Sequence, residues 1–246
     1  MTAGPALRLC TRAYRALPRS ARHFLREVTT GRPFVTLSPH LTIAVHWAFR
    51  RLAERAGGGG PDLFAGAAYY EFGVYRGYSL WYAEQISRTY APDNFRCLGF
   101  DSFAGLPSSE SDGAHYRRGD FAAGLDEVVG NLRAHGADFD RLRLFPGFYS
   151  RQLFARFAAE FEFPPAAVCV IDVDTYESCL EVLRFMHPRW RPGSIVVFDD
   201  YNDMGASDEH GERRALREYL AEHPGLRVTH LRDVGHEAAI FEVSSV

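Results

Sequence analysis

Lysine is missing from all 246 residues, and the 28 basic side chains are arginines throughout. That absence excludes a Schiff-base lysine, a P-loop lysine and a lysine general base. Cysteine is scarce: Cys10, Cys97, Cys169 and Cys179 form no CxxC pair. Neither a disulfide framework nor a zinc site is expected; Cys97 and Cys169 read as small buried hydrophobes, and the compartment as a reducing cytosol. No apolar run approaches the ~20 residues of a bilayer crossing, so no membrane-spanning segment is expected. Acid is absent from residues 1–26, which hold Arg8, Arg12, Arg15, Arg19, Arg22 and Arg26. With a net charge of -3 overall, the remaining chain carries -9. An acidic body argues against nucleic acid as the main partner.

The composition, 46% hydrophobic and 24% charged, suits an ordinary folded chain and excludes disorder, collagen and coiled coil. Residues 6–28 read as a basic amphipathic helix bent near Pro18. It is either a solvated helix on the body or a contact for an anionic lipid surface or a partner subunit. A second helix spans 39–56 and stops at Gly57-Gly58-Gly59-Gly60. Four glycines cannot propagate a helix, so we place the boundary there: a helical N-terminal cap over 1–60, then the functional domain over 61–246.

From residue 67 apolar strands alternate with amphipathic helices. Strands are expected at 67–72, 95–100, 142–146, 167–172 and 194–199. Helices are expected near 77–89, 125–135, 151–160, 175–187 and 211–223. That alternation indicates an α/β fold with a parallel sheet covered on both faces. Two further strands, near 227–233 and 237–243, complete a seven-stranded, mostly parallel Rossmann-like sheet. Ligands of such sheets gather at the carboxyl ends of the strands.

Those ends carry the chemistry. Glu71-Phe72-Gly73-Val74-Tyr75-Arg76-Gly77-Tyr78-Ser79 closes the first strand and opens a helix, whose free N–H groups favour a carboxylate or phosphate. The glycine spacing alone is weak evidence, since it is not Gly-x-Gly-x-x-Gly. Asp101 ends the second strand, where an acid is placed to bond two ribose hydroxyls. Asp172-Val173-Asp174 ends the fourth strand, and Asp199-Asp200 ends the fifth. Adjacent parallel strands lie ~4.8 Å apart, so Asp172, Asp199 and Asp200 converge. Carboxylates that close repel unless a hard divalent cation such as Mg2+ neutralises them.

Four blocks together carry a resemblance: Glu71 to Ser79; Phe100-Asp101-Ser102-Phe103-Ala104-Gly105-Leu106-Pro107; Asp172-Val173-Asp174-Thr175-Tyr176-Glu177-Ser178; and Pro192-Gly193 through Asp199-Asp200-Tyr201. In order and spacing they are similar to the macrocin O-methyltransferase family over about residues 61–225. The resemblance implies a class I methyltransferase fold that uses S-adenosylmethionine and Mg2+, methylates a sugar or glycoside hydroxyl, and often forms a dimer. It implies that Glu71, Gly73, Gly77 and Ser79 line the methionine end of the cofactor. Asp101 would hold the ribose, with Ser102 beside it in the cofactor-binding set, and Asp172, Asp199 and Asp200 would hold the metal. Phe72 and Phe198 depart from the small or aliphatic residues common there.

A general base is still needed, because Mg2+ activates a bound oxygen less than zinc does. With no lysine, the candidates are Asp174 first, then His210 and His115. Residues 103–121, rich in proline, serine and glycine, are expected to form a lid beside the cofactor. Two rival readings compete with this one. Asp172-Val173-Asp174 also spells the Asp-x-Asp of metal-dependent glycosyltransferases, which leaves Asp101 and the glycine turn unexplained. A non-catalytic cofactor-binding protein has no use for clustered acids. A catechol-like phenol or a lipid-linked sugar is the alternative acceptor.

Overall fold

The computed structural model describes residues 38–113 and 115–246. The basic helix expected at 6–28, and Cys10 within it, lie outside them.

Seven strands build one sheet: β1 (Ala68–Phe72), β2 (Arg96–Asp101), β3 (Leu142–Pro146), β4 (Ala166–Ile171), β5 (Ile195–Phe198), β6 (Arg227–Val234) and β7 (Ala238–Ser245), in the order β3-β2-β1-β4-β5-β7-β6. The first five pair in parallel, and β7 runs antiparallel to both β5 and β6. Every residue of β1, β4 and β5 is buried, as a strand covered on both faces requires. The order reverses between β1 and β4, so a crevice opens beyond the ends of those two strands.

One face carries α1 (Pro39–Gly57), α2 (Tyr78–Tyr90) and α3 (Leu125–Ala134). The other carries α4 (Arg151–Glu160), α5 (Tyr176–Met186) and α6 (Gly211–Glu222). Helix α1 buries Leu41, Ala44, Val45, Ala48, Phe49 and Leu52, an apolar stripe at helical spacing. Arg51 and Arg55 reach Glu242 of β7 at 3.0 and 2.8 Å. The compact unit therefore runs Ser38–Val246. The helix expected to belong to a separate cap ahead of the glycines packs into the same core as the sheet, because its apolar stripe meets the buried residues of that face.

The opposite face is filled by aromatic rings. Phe72 stacks on Phe100 at 4.6 Å, Phe100 on Phe145 at 4.7 Å, and Phe154 on Phe185 at 4.2 Å. Each such pair contributes about 0.5–1.5 kcal/mol beyond burial. Phe198 packs against Tyr201 and Phe241 in the same layer. The two departures from family pattern thus fill the sheet's interior face. Cys97, Cys169 and Cys179 are buried free thiols. No helix among the described residues is long and apolar enough to cross a membrane.

Candidate active site

The turn from β1 into α2 depends on two glycines. Gly73 has φ +91°, and a Cβ there would lie 1.7 Å from the Asp172 carbonyl oxygen. Only glycine lets the ends of β1 and β4 approach so closely. The Gly73 N–H donates to the Phe100 carbonyl at 2.9 Å and to the Tyr149 hydroxyl at 3.0 Å, and that hydroxyl donates to the same carbonyl at 2.8 Å. Gly77, also at φ +91°, caps the start of α2.

Beneath the turn Glu71 is fully buried. The Tyr69 hydroxyl donates to one of its oxygens and Ser79 Oγ to the other, the latter at 2.8 Å. Desolvation pushes the Glu71 carboxyl up to about 8. Glu71 and Ser79, both assigned to a cofactor from the sequence, thus bond each other in this structure and stiffen the turn from below.

Asp101 joins the turn to the end of β2. Its Oδ2 accepts the Val74 and Tyr75 N–H groups at 2.8 and 2.9 Å, and its Oδ1 accepts that of Phe103 at 2.7 Å. Ser102 Oγ donates to the Gly105 carbonyl at 2.7 Å. Tyr75 and Phe103 hold left-handed backbones, as does Phe121, whose ring meets Tyr75 edge-on at 6.2 Å. Strained φ values gathered at one sheet edge are common around ligand clamps.

Next to this turn, carboxylate oxygens of Asp172, Asp174 and Asp200 lie within 4.8 Å of one another. Asp174 takes a left-handed φ of 60° and is buried, as is Asp200. Three unit charges at that spacing repel by about 3 kcal/mol per pair at an effective dielectric of about 20. The donor set, oxygens only, is the one a hard divalent cation takes. Asp199, expected as the third ligand, is fully buried beside the cluster, but both its oxygens face α1. Its Oδ1 lies 2.8 Å from His40 Nε2, and its Oδ2 accepts Ser38 Oγ at 3.0 Å. The structure gives the third place in the cluster to Asp174, because consecutive residues at a strand end point to opposite sides.

The loop 103–121 lies against the same edge. Asp112, fully buried, accepts the N–H of Tyr176 at 2.7 Å and of Gly211 at 3.4 Å, so one carboxylate caps both α5 and α6. His210 Nδ1 sits 3.2 Å from the same carboxylate, and the exposed His115 stands beside it with ring centroids 5.8 Å apart. Glu177 holds Ser109 Oγ at 2.7 Å and the Ser111 N–H at 3.0 Å. The buried Tyr116 donates its hydroxyl to Asp203 at 2.8 Å. Burial, with Asp200, Asp174 and Asp203 nearby, pushes that phenol far up.

Glu212, Asp112, Tyr116, Tyr149 and His40 are functional candidates that the sequence pattern does not mark. Glu212 is the most consequential of them. It is 1% exposed, accepts the Asp200 N–H on Oε2 at 3.0 Å, and is pushed well up by desolvation and then by Asp200, Asp199 and Asp174. In sequence it reads as an acid in the first turn of a helix, a placement that the helix dipole alone explains.

The model of the family described as Macrocin-O-methyltransferase (TylF) matches residues 65–226. An 8-demethyl-8-(2,3-dimethoxy-alpha-L-rhamnosyl)-tetracenomycin-C 4'-O-methyltransferase from Streptomyces olivaceus is 30% identical over 139 residues, 53% of this chain and 51% of that protein. A mycinamicin III 3''-O-methyltransferase from Micromonospora griseorubida is 26% identical over 163 residues, 62% of this chain and 60% of that one. The matches thus span about half to three-fifths of the length of these curated relatives. Among solved structures, the O-methyltransferase NovP superposes with a TM-score of 0.65 at 22% identity, over 82% of this chain and 79% of its own. The calicheamicin methyltransferase CalS11 gives 0.64 at 22%, over 98% and 94%. Those two likenesses establish the fold, a class I methyltransferase sheet. With the family match covering well over half its length, the chain belongs to the macrocin O-methyltransferase family.

Proposed function

We propose that this protein is an S-adenosylmethionine-dependent, Mg2+-assisted O-methyltransferase acting on a hydroxyl of a sugar or glycoside. The observation that carries the reading is the meeting of Asp172, Asp174 and Asp200 beside the Gly73 turn, in a chain of this family. The related proteins' names, both O-methyltransferases and one of them of a rhamnosyl-tetracenomycin, support the acceptor class.

In this reading Gly73, Gly77 and the Glu71–Ser79 pair shape the methionine end of the donor's pocket, and Asp101 with Ser102 faces its ribose. Asp172, Asp199 and Asp200 would hold the metal, Asp199 only on giving up its contacts with His40 and Ser38. A bound divalent cation supplies charge neutralisation and Lewis-acid polarisation of the acceptor oxygen. Asp174, inside the carboxylate cluster, receives the acceptor's proton on a carboxylate oxygen. His210 is the second candidate, and its Nδ1 is engaged by Asp112, which leaves Nε2 as the atom able to move a proton. Holding donor methyl and acceptor oxygen in line can supply ~7–11 kcal/mol of the barrier, so no covalent step with the protein is required.

We also read the protein as a cytoplasmic homodimer. Buried free thiols suit a reducing compartment, and the resemblance supports the dimer, which sedimentation at micromolar concentration tests. The activity is tested by a radiolabelled methyl-transfer screen over sugars and glycosides, with Mg2+ and with EDTA. Asp172→Ala should bind S-adenosylmethionine in a calorimeter within a few-fold of the parent and lose methyl transfer. Undiminished turnover in EDTA, or in that variant, refutes the metal assignment. Binding of a nucleotide sugar but not of S-adenosylmethionine refutes the reaction class.

A further inference from the structure

We propose that Glu212 is an outer acid of the cation site, holding Asp200 in place through its N–H and bonding a water on the ion when a divalent cation is bound. The proposal rests on the cation reading above. Three observations carry it.

The first is burial where an acid of this kind is normally solvated. Glu212 stands in the first turn of α6, one residue after Gly211, and is 1% exposed. Helix α6 starts against the cluster: a Cβ on Gly211 would lie 3.6 Å from the Asp174 carbonyl oxygen. The second is the division of labour between its two oxygens. Oε2 accepts the Asp200 N–H at 3.0 Å. Oε1 is buried with no hydrogen-bond partner among the described residues. A buried carboxylate oxygen left without donor or cation is expensive, and native structures keep few of them.

The third is the sign of the neighbouring charges. Among the described residues, the charged groups acting on Glu212 are Asp200, Asp199 and Asp174, all acids. The arginines next to it in sequence are committed elsewhere: Arg213 to Asp208 and Asn202, and Arg214 to Glu218 and Ser111. The protein thus brings a fourth acid into an acidic cluster, and among the described residues no arginine is paired with it. A divalent cation that takes only oxygen ligands does two things at once: it balances the charge and gives Oε1 a partner through a water on the ion.

The test measures metal binding to the full chain with neither donor nor acceptor present. Mg2+ is titrated calorimetrically into the parent protein and into Glu212→Gln, and the unfolding temperature of each is read with and without Mg2+. Glutamine keeps an oxygen for the Asp200 N–H and turns the other atom into a donor that suits the neighbouring acids. The variant should therefore melt higher than the parent without metal, bind Mg2+ about tenfold more weakly, and gain less from it on heating. Affinity equal to the parent's within twofold, or a variant that melts lower without metal and keeps the full Mg2+ gain, gives Glu212 a structural role only and overturns the proposal. A parent protein that binds no Mg2+ or Mn2+ overturns the cation reading along with it. S-adenosylmethionine titrated in the same instrument then shows whether the donor half of the proposed function still stands.

Discussion

Gly73→Ala tests the closest approach in the site. Two separable penalties apply. Alanine at φ +91° bears the left-handed cost of about 1–2 kcal/mol. Its Cβ would also fall 1.7 Å from the Asp172 carbonyl oxygen, so something must move by more than an ångström. Relief is hard to find there. Phe72 is paired with Ile171 in the ladder, and the Asp172 N–H donates to the Phe72 carbonyl at 2.8 Å, so both sides of the clash belong to one hydrogen-bonded ribbon. Overpacking of rigid surroundings adds typically about 1–3 kcal/mol. A total of about 2–5 kcal/mol should lower the melting temperature by about 4–20 °C for a unit of this size. Gly136→Ala is the control. Gly136 is also left-handed, at φ +74°, but a Cβ there meets nothing within 4 Å, so only the conformational cost of about 1–2 kcal/mol remains. Both variants are unfolded in urea and by heat without cofactor. If the two lose equal stability, the contact between β1 and β4 is not the reason for glycine at position 73, and the account of the turn fails.

Two further outcomes are expected. The Glu71 carboxyl is raised from 4.5 to about 8, so its folded form holds the proton more tightly than its unfolded form. Its contribution to stability is full below pH 4.5 and is lost as pH rises toward 8, at a limiting rate of about 1.4 kcal/mol per pH unit. Glu71→Gln should flatten that part of the slope, and parallel urea midpoints for the two proteins from pH 5 to 8 would count against it. Asp112→Ala removes the acceptor shared by Tyr176, Gly211 and His210, at about 1–3 kcal/mol for each buried donor left without a partner. Trypsin should then cut at the exposed Arg117 and Arg118 at least tenfold faster than in the parent. An unchanged rate would show that Asp112 does not hold the loop, and cleavage indifferent to S-adenosylmethionine would count against its acting as a lid.

The alternation of apolar strands and amphipathic helices is plain in the sequence, because backbone hydrogen bonding and burial on two faces leave a pattern within each segment. Strand ends fall within a residue or two of their expected places, and so do the acids beyond them. Phe72 and Phe198 look like departures until the sheet shows an aromatic layer that they fill. The helix ahead of the glycine run packs into the sheet's core all the same, since a helix's membership in a core depends on the surface its apolar stripe meets, not on the residues that terminate it.

Local order thus determined the elements, the glycine turn and the gathering of acids at one sheet edge, all of which come from period, spacing and strand direction. Which carboxylates share a point in space was decided only by the tertiary structure. His40 and Ser38 draw Asp199 toward α1, while Asp174 stands with Asp172 and Asp200. Glu212, 12 residues beyond Asp200, is brought by α6 to the Asp200 N–H. Side-chain direction at a strand end answers to whatever packs above it, and that neighbour is supplied by distant parts of the chain.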